Sequence, residues 1–200
     1  MFLKVKQFVV TLVVILAMAT PAFSCVGKTL YVGAVDSPGE NILAEILVLL
    51  INERTGTSVQ VRYHADKEKL YAALQSAVEA EHIDIMIENT IDGARQIGLA
   101  AIADPEQAYL AVKEKYEKQL NVIWLNPFGF TNGKPGGSPS VSAPLLRRDI
   151  LTNFPLLPRI LNKLGNAIDN ATFAALVAEV KGGAKPKNVA KDFLKSRKFI

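Results

Sequence analysis

Apolar and polar positions along this chain fall into two rhythms, one of period two and one near 3.6, and the two take turns. The run Thr29-Leu30-Tyr31-Val32-Gly33-Ala34-Val35 is rich in strand formers and predicts a first strand. From Glu40 to Arg54 the pattern becomes helical. Ile42, Leu43, Ile46, Leu47, Leu49, Leu50 and Ile51 make that helix apolar nearly all round, so it is expected to be buried. Thr55-Gly56 ends it, Gly being the usual residue past a helix terminus. Val59-Gln60-Val61-Arg62-Tyr63 alternates as a second strand. Asp66 caps a second helix expected through Glu81, with Leu70, Ala73, Leu74, Ala77 and Val78 at helical spacing. Ile83-Asp84-Ile85-Met86-Ile87 predicts a third strand, followed by a helical segment over Asp92–Ala103. Asp104-Pro105-Glu106-Gln107 starts another helix with an Asp cap, Pro in the first helical position and Gln at the third, running to about Gln119. Asn121-Val122-Ile123-Trp124-Leu125 predicts a fourth strand.

Strand and helix in regular alternation predict an α/β fold, a mainly parallel sheet flanked by helices and joined by right-handed crossovers. Leu30–Val35 is expected at its centre. From Asn126 the texture breaks into "NPFGFTNGKPGGSPSVSAP", an irregular connection, after which Val141–Leu145 is expected to return to the sheet. Three helices follow: Arg148–Leu164, kinked at Pro155 and Pro158, then Asn170–Lys181 and Pro186–Lys198.

Composition changes this picture at the N-terminus. Lys4 and Lys6 precede an apolar run, Phe8 to Met18, that is too short to span a bilayer, and Ala22-Phe23-Ser24 reads as a cleavage site. Residues 1–24 are therefore expected to be a signal peptide, and residues 25–200 the exported domain. Export places that domain in the periplasm or elsewhere outside the cytoplasmic membrane. The only cysteine, Cys25, follows the cut and excludes an internal disulfide. Two readings of it stay open, a lipid-modified first residue or a free thiol after ordinary cleavage; the A-x-S sequence favours the second. Membrane attachment would come only through the signal peptide or that lipid.

The whole chain carries a formal charge of +4, and the leader removes two lysines and no acid. Such a weak excess gives no basis for nucleic-acid binding. Two histidines and one cysteine offer no metal-ligand spacing, so no metal or other cofactor is expected.

Candidate chemistry gathers where the strands end. Ser37-Pro38-Gly39-Glu40 is a complete helix start: Ser37 as cap, Pro38 first in the helix, and Glu40 expected to reach back to the Ser37 N–H. The same turn puts a helix N-terminus at the carboxyl end of a strand, the edge where open α/β sheets hold ligands. Neither GxGxxG nor GxxxxGK[ST] is present, so it is no phosphate loop. Asp36 disfavours a free anion there and suits a zwitterionic or hydroxyl-bearing solute. The other strand ends bring Tyr63 and His64, then Glu88, Asn89 and Thr90, then Phe128 to the same rim. Ser37, His64 and Asp36 or Asp66 lack the GxSxG elbow that a hydrolase triad of this type needs. No enzyme activity is expected. Trp124, inside a strand, is read as core.

Three stretches, "LYVGAVDSPGENILAEILVLLINERTG", "KLYAALQSAVEAEHIDIMIENT" and "VKEKYEKQLNVIWLNPFGFTN", resemble the first lobe of substrate-binding proteins of ABC importers for glycine betaine, choline and related quaternary ammonium compounds. "APLLRRDILTNFPLLPRILNKLGNAIDNATFAALVAEVKGGAKPKNVAKDFL" resembles the C-terminal return of that lobe. The resemblance implies a single lobe of a type II periplasmic-binding-protein-like fold that binds a small osmolyte without chemistry, with an ABC permease as partner. In that family the chain leaves the lobe after the stretch matching Gly129 to Asn132, which adds Asn132 to the candidate ligand-binding residues, and builds a second lobe. Here a short connection, 133–142, stands in its place. The family's "EYTGT"-like stretch reads Glu88-Asn89-Thr90-Ile91-Asp92 in this chain, so the usual aromatic contact to a quaternary ammonium falls to Tyr63 and Phe128. The alternative reading is a degenerate lobe that serves as a protein–protein interaction module without binding solute.

Overall fold

A computed structural model describes residues 27–132 and 140–200. The proposed leader, Cys25 and most of the 133–142 connection lie outside the described residues. Strand β1 (Leu30–Val35) turns its buried Leu30, Val32 and Ala34 to one face of the sheet. Helix α1 (Pro38–Thr55) follows, capped by Ser37 and closed by Gly56 at φ 69°, a left-handed conformation that favours glycine. Its eight buried side chains include Ile42, Leu47 and Leu50, all without exposed surface. The helix is covered on more than one side: by the sheet, and by α6 (Asn170–Lys181) and α7 (Pro186–Ser196) packed across it. That is why its sequence shows so little polar face.

Strand β2 (Val59–His64) pairs in parallel with β1, from Leu30 opposite Val59 to Val35 opposite His64. Helix α2 (Lys67–Gln75) then crosses the other face of the sheet, and β3 (Ile85–Asn89) joins β1 on its far side, also in parallel. Gly33 in β1 lets α2 and its following turn come close. A Cβ there would meet Ile83 Cδ1 at 2.3 Å and Leu70 Cδ1 at 2.6 Å. Helices α3 (Thr90–Gln96) and α4 (Pro105–Gln119), strand β4 (Val122–Trp124) and the short β5 (Thr131–Asn132) complete the first part of the chain. Strand β6 (Ser140–Arg147) returns between β3 and β4.

The sheet order is β2-β1-β3-β6-β4, with β5 on β6. The expected α/β architecture is present and the Val141–Leu145 segment returns to the sheet, but β3 rather than β1 takes the centre, because β6 and β4 add beyond β3. The sheet is mixed. β6 runs antiparallel to both β3 and β4, so β1, β2, β3 and β4 point one way and β6 against them. The reversal is visible at the rim, where β5 and the start of β6 pair antiparallel.

Other boundaries shift for local reasons. Helix α2 stops at Gln75 rather than Glu81, because Ser76 Oγ accepts from Val78 N–H and Arg62 holds the carbonyls of Glu79 and His82. Helix α3 spans Thr90–Gln96, starting on an Asn89 cap and ending before Gly98 at φ 61°. The stretch Arg148–Leu164 is broken rather than kinked, into 3-10 turns over Asp149–Thr152 and Asn162–Leu164 around helix α5 (Leu157–Leu161).

Candidate functional site

The chain moves from β1 through α1 to β2 on one side of β1, and from β2 through α2 to β3 on the other. The carboxyl ends of β1 and β3 therefore flank the point where the winding reverses, the place where a crevice opens in such sheets. A cavity of about 130 Å³ lies there, lined by Ser37, Gly39, Glu40, Leu43, Lys67, Ile87, Glu88, Asn89, Phe130, Ser142 and Phe173.

Each wall has a local origin. Ser37 Oγ accepts from Glu40 N–H at 3.3 Å, as a helix cap should. Glu40 does not close the expected reciprocal bond to Ser37. Its Oε2 accepts instead from Val35 N–H at 3.0 Å, and its Oε1 pairs with Lys67 Nζ at 2.6 Å. The lysine is the reason: it draws the carboxylate inward over the strand end. Lys67 opens α2, where the helix dipole disfavours a cation, and answers that cost with acceptors from other elements. Besides Glu40 it donates to Ile87 O at 3.1 Å and stands 3.6 Å from Glu88 Oε1. Burial works against its charge, yet Glu88 and Glu40 outweigh it and hold the Lys67 pKa above its ordinary value.

Glu88 is 1% exposed. Its Oε1 accepts from the Asn89 N–H at 2.8 Å and the Asn89 Nδ2 at 3.2 Å, while its Oε2 is buried with no partner in hydrogen-bonding range. Burial pushes the Glu88 pKa up, only partly offset by Lys67 and the Asn89 N–H. Behind it, Tyr116 donates to Gly93 O at 3.0 Å, which leaves Tyr71 to donate to Tyr116 across 2.8 Å. The Tyr71 oxygen is then left to accept.

Of the residues singled out in the sequence, Ser37, Glu88 and Asn89 come together on the cavity wall. Asp36 stands just outside, exposed, and accepts from Asn41 Nδ2 at 2.8 Å. Tyr63 is 52% exposed at the end of β2 and does not line the cavity. His64 is also off it; burial and Arg62 push its pKa down. Thr90 is buried and accepts from Val141 N–H at 3.3 Å, and lines a separate apolar cavity of about 400 Å³ between α3 and α4. Phe128 is fully buried in the core rather than at the rim, because its N–H pairs with Ser142 O and its O accepts from Ile168 N–H. The backbone of Asn132 pairs with Ser140. Trp124 is core, with no exposed surface.

Glu40 as a cavity wall, Lys67, Phe130 and Phe173 escaped the sequence reading. A cation in the first helical position was a usable sign for Lys67. Phe173 carried none, since it arrives from α6 and stacks on Phe130 at 4.0 Å and 7°. A larger cavity, about 420 Å³, lies at the opposite edge of the sheet beside Tyr31, His82, Asp84 and Arg147. Its polar groups are taken up internally: Asp84 Oδ2 accepts from Tyr31 N–H, and Arg147 pairs with Asp149 and donates to Ser76 O.

No group of side chains suited to a metal ion occurs among the described residues. No helix among them is long and apolar enough to cross a membrane.

No protein-family model matches the chain. It is 29% identical over 108 residues to the carnitine transport binding protein OpuCC of Listeria monocytogenes serotype 1/2a (strain 10403S). The match spans 52% of this chain and 33% of that protein, so the chain accounts for about a third of the relative's length. Among solved structures, that of a glycine betaine/carnitine/choline ABC transporter superposes with a TM-score of 0.77 at 15% identity, covering 86% of this chain and 98% of the other. Apo YehZ from Escherichia coli gives 0.76 at 14% identity, covering 87% and 100%. The chain thus shares the fold of the glycine betaine/carnitine/choline ABC transporter structure and of YehZ, and it is similar in sequence to a carnitine transport binding protein.

Proposed function

We propose that the chain is an exported, ABC-importer substrate-binding-like protein that binds a small osmolyte, of the class of glycine betaine, carnitine or choline, without chemistry. One observation carries the reading: a cavity sits at the point of reversal between β1 and β3, with a helix start, a lysine and a buried carboxyl around it. The resemblance to an importer's carnitine-binding protein supports the solute class. A cavity of about 130 Å³ is smaller than the roughly 300–1,000 Å³ usual for an enclosed ligand site. It therefore serves as half of a site, closed by a surface across the rim. Residues 1–24 act as a signal peptide in this reading. Residues 25–200 form a single lobe in the periplasm, partnered by an ABC permease.

The test is a thermal-shift screen of the protein, checked by calorimetric titration, against glycine betaine, carnitine, choline, amino acids and small carboxylates. A solute at 100 times its Kd raises stability by about 2.7 kcal/mol, a readily measured shift. Flat melting curves and no heat with every osmolyte would remove solute binding as the function.

A further inference from the structure

We propose that Lys67 decides which end of a solute this pocket receives: its tethered ammonium fills the carboxylate-lined side, so the pocket admits an anionic or uncharged hydrogen-bonding group and excludes an ammonium. This rests on the solute-binding reading above.

The argument is an inventory of acceptors and donors. Glu40 uses one oxygen on Val35 N–H and the other on Lys67. Glu88 Oε1 is taken by Asn89 and approached by Lys67, and Glu88 Oε2 is buried away from any solute. Asp36, the other carboxylate of the turn, is bonded to Asn41 and stands off the cavity wall. The carboxylate oxygens are thus committed or out of reach, and the cation they call for is built into the chain.

Donors remain. Ser37 Oγ accepts from Glu40 N–H and still has its own hydrogen to give. Gly39 is second in its helix, so its N–H has no acceptor within the helix and points along the positive end of the dipole. Lys67 has three hydrogens: Glu40 and Ile87 O take two, and the third has only Glu88 Oε1 at 3.6 Å, longer than a hydrogen bond.

The aromatic rings give the same answer. An alkylammonium is held by open ring faces within about 6 Å. Phe130 is 1% exposed and stacked on Phe173 at 4.0 Å, with Phe128 nearly parallel at 5.9 Å. The rings spend faces on one another and do not form an open cage.

The experiment follows the amide resonances of Ser37, Gly39 and Glu40 in the ¹⁵N-labelled protein, titrated at constant ionic strength. In the wild type, acetate shifts these amides saturably and tetramethylammonium does not. In Lys67→Met, the acetate affinity falls at least about tenfold, while methylammonium shifts the same amides and raises the melting temperature saturably. If tetramethylammonium moves the wild-type amides and acetate does not, the proposal is overturned. The same holds if methylammonium leaves Lys67→Met unmoved. Should Lys67→Met fail to fold in sodium buffer, folding restored by methylammonium counts for the proposal, and without such rescue the wild-type titration decides. Failure of the solute-binding reading looks different: no osmolyte stabilises the protein, yet methylammonium still enters Lys67→Met.

Discussion

At Ser37 a single hydroxyl joins sequence to stability. It accepts from Glu40 N–H, so Ser37→Ala should cost about 1 kcal/mol in urea melts of the solute-free protein. An unchanged midpoint would show that the cap is not what holds the helix start. Glu88 makes a pH prediction. Burial raises its pKa above the ordinary 4.5, so folding takes up a proton. Its contribution is full below the ordinary value and is lost as pH rises through the higher folded value. Glu88→Gln keeps an acceptor for Asn89 and offers N–H donors toward Tyr71, so it should abolish this loss. The difference in unfolding free energy between Glu88→Gln and the wild type should therefore grow in the variant's favour above pH 4.5. Taking the difference removes the similar contribution of Asp84, whose pKa burial also raises. A pH-independent difference would place the ionised form of Glu88 in the folded protein.

Between elements, glycine sets how closely helices approach the sheet. Gly93 in α3 faces the only tryptophan: a Cβ there would lie 2.7 Å from Trp124 Cζ2. Gly93→Ala should push α3 from β4 and destabilise by about 1–3 kcal/mol, with an altered near-ultraviolet circular dichroism of Trp124. An unaltered spectrum at full stability would mean the helix yields without resistance. Gly33→Ala tests the same layer beside β1, where Ile83 and Leu70 close over the strand, and should cost a similar amount. Neither change touches the cavity lining, so loss of solute binding in either variant would report loss of the fold.

For the whole molecule, the layered arrangement explains where the proposed solute site lies. Helices on both faces bury the strands, and the winding reversal leaves a crevice at the carboxyl ends of β1 and β3. Export is a prediction at the same scale. Mass spectrometry of protein purified from its native host should show loss of residues 1–24. A diacylglycerol on Cys25 would identify a lipoprotein, and an intact leader on soluble protein would defeat both readings. A solute seen by calorimetry should also bury apolar surface and give a negative heat-capacity change, more so if a second surface closes over the cavity.

Periodicity, capping residues and glycine stops sufficed to read the strand and helix order, the capped turn at Ser37 and the buried character of α1, because each depends on residues close in the chain. The return of the Val141–Leu145 segment was legible for the same reason, but its direction was not, since that depends on which neighbours it pairs with. The site was half legible. Ser37, Glu88 and Asn89 stand at strand ends, and a strand end has a predictable place at the rim. Lys67, Phe130 and Phe173 became neighbours of Glu40 only once α2, the loop after β4 and α6 were packed around β1 and β3. Those contacts join residues far apart in the chain, and their energies, a partly buried ion pair and a ring stack, exist only in the assembled fold.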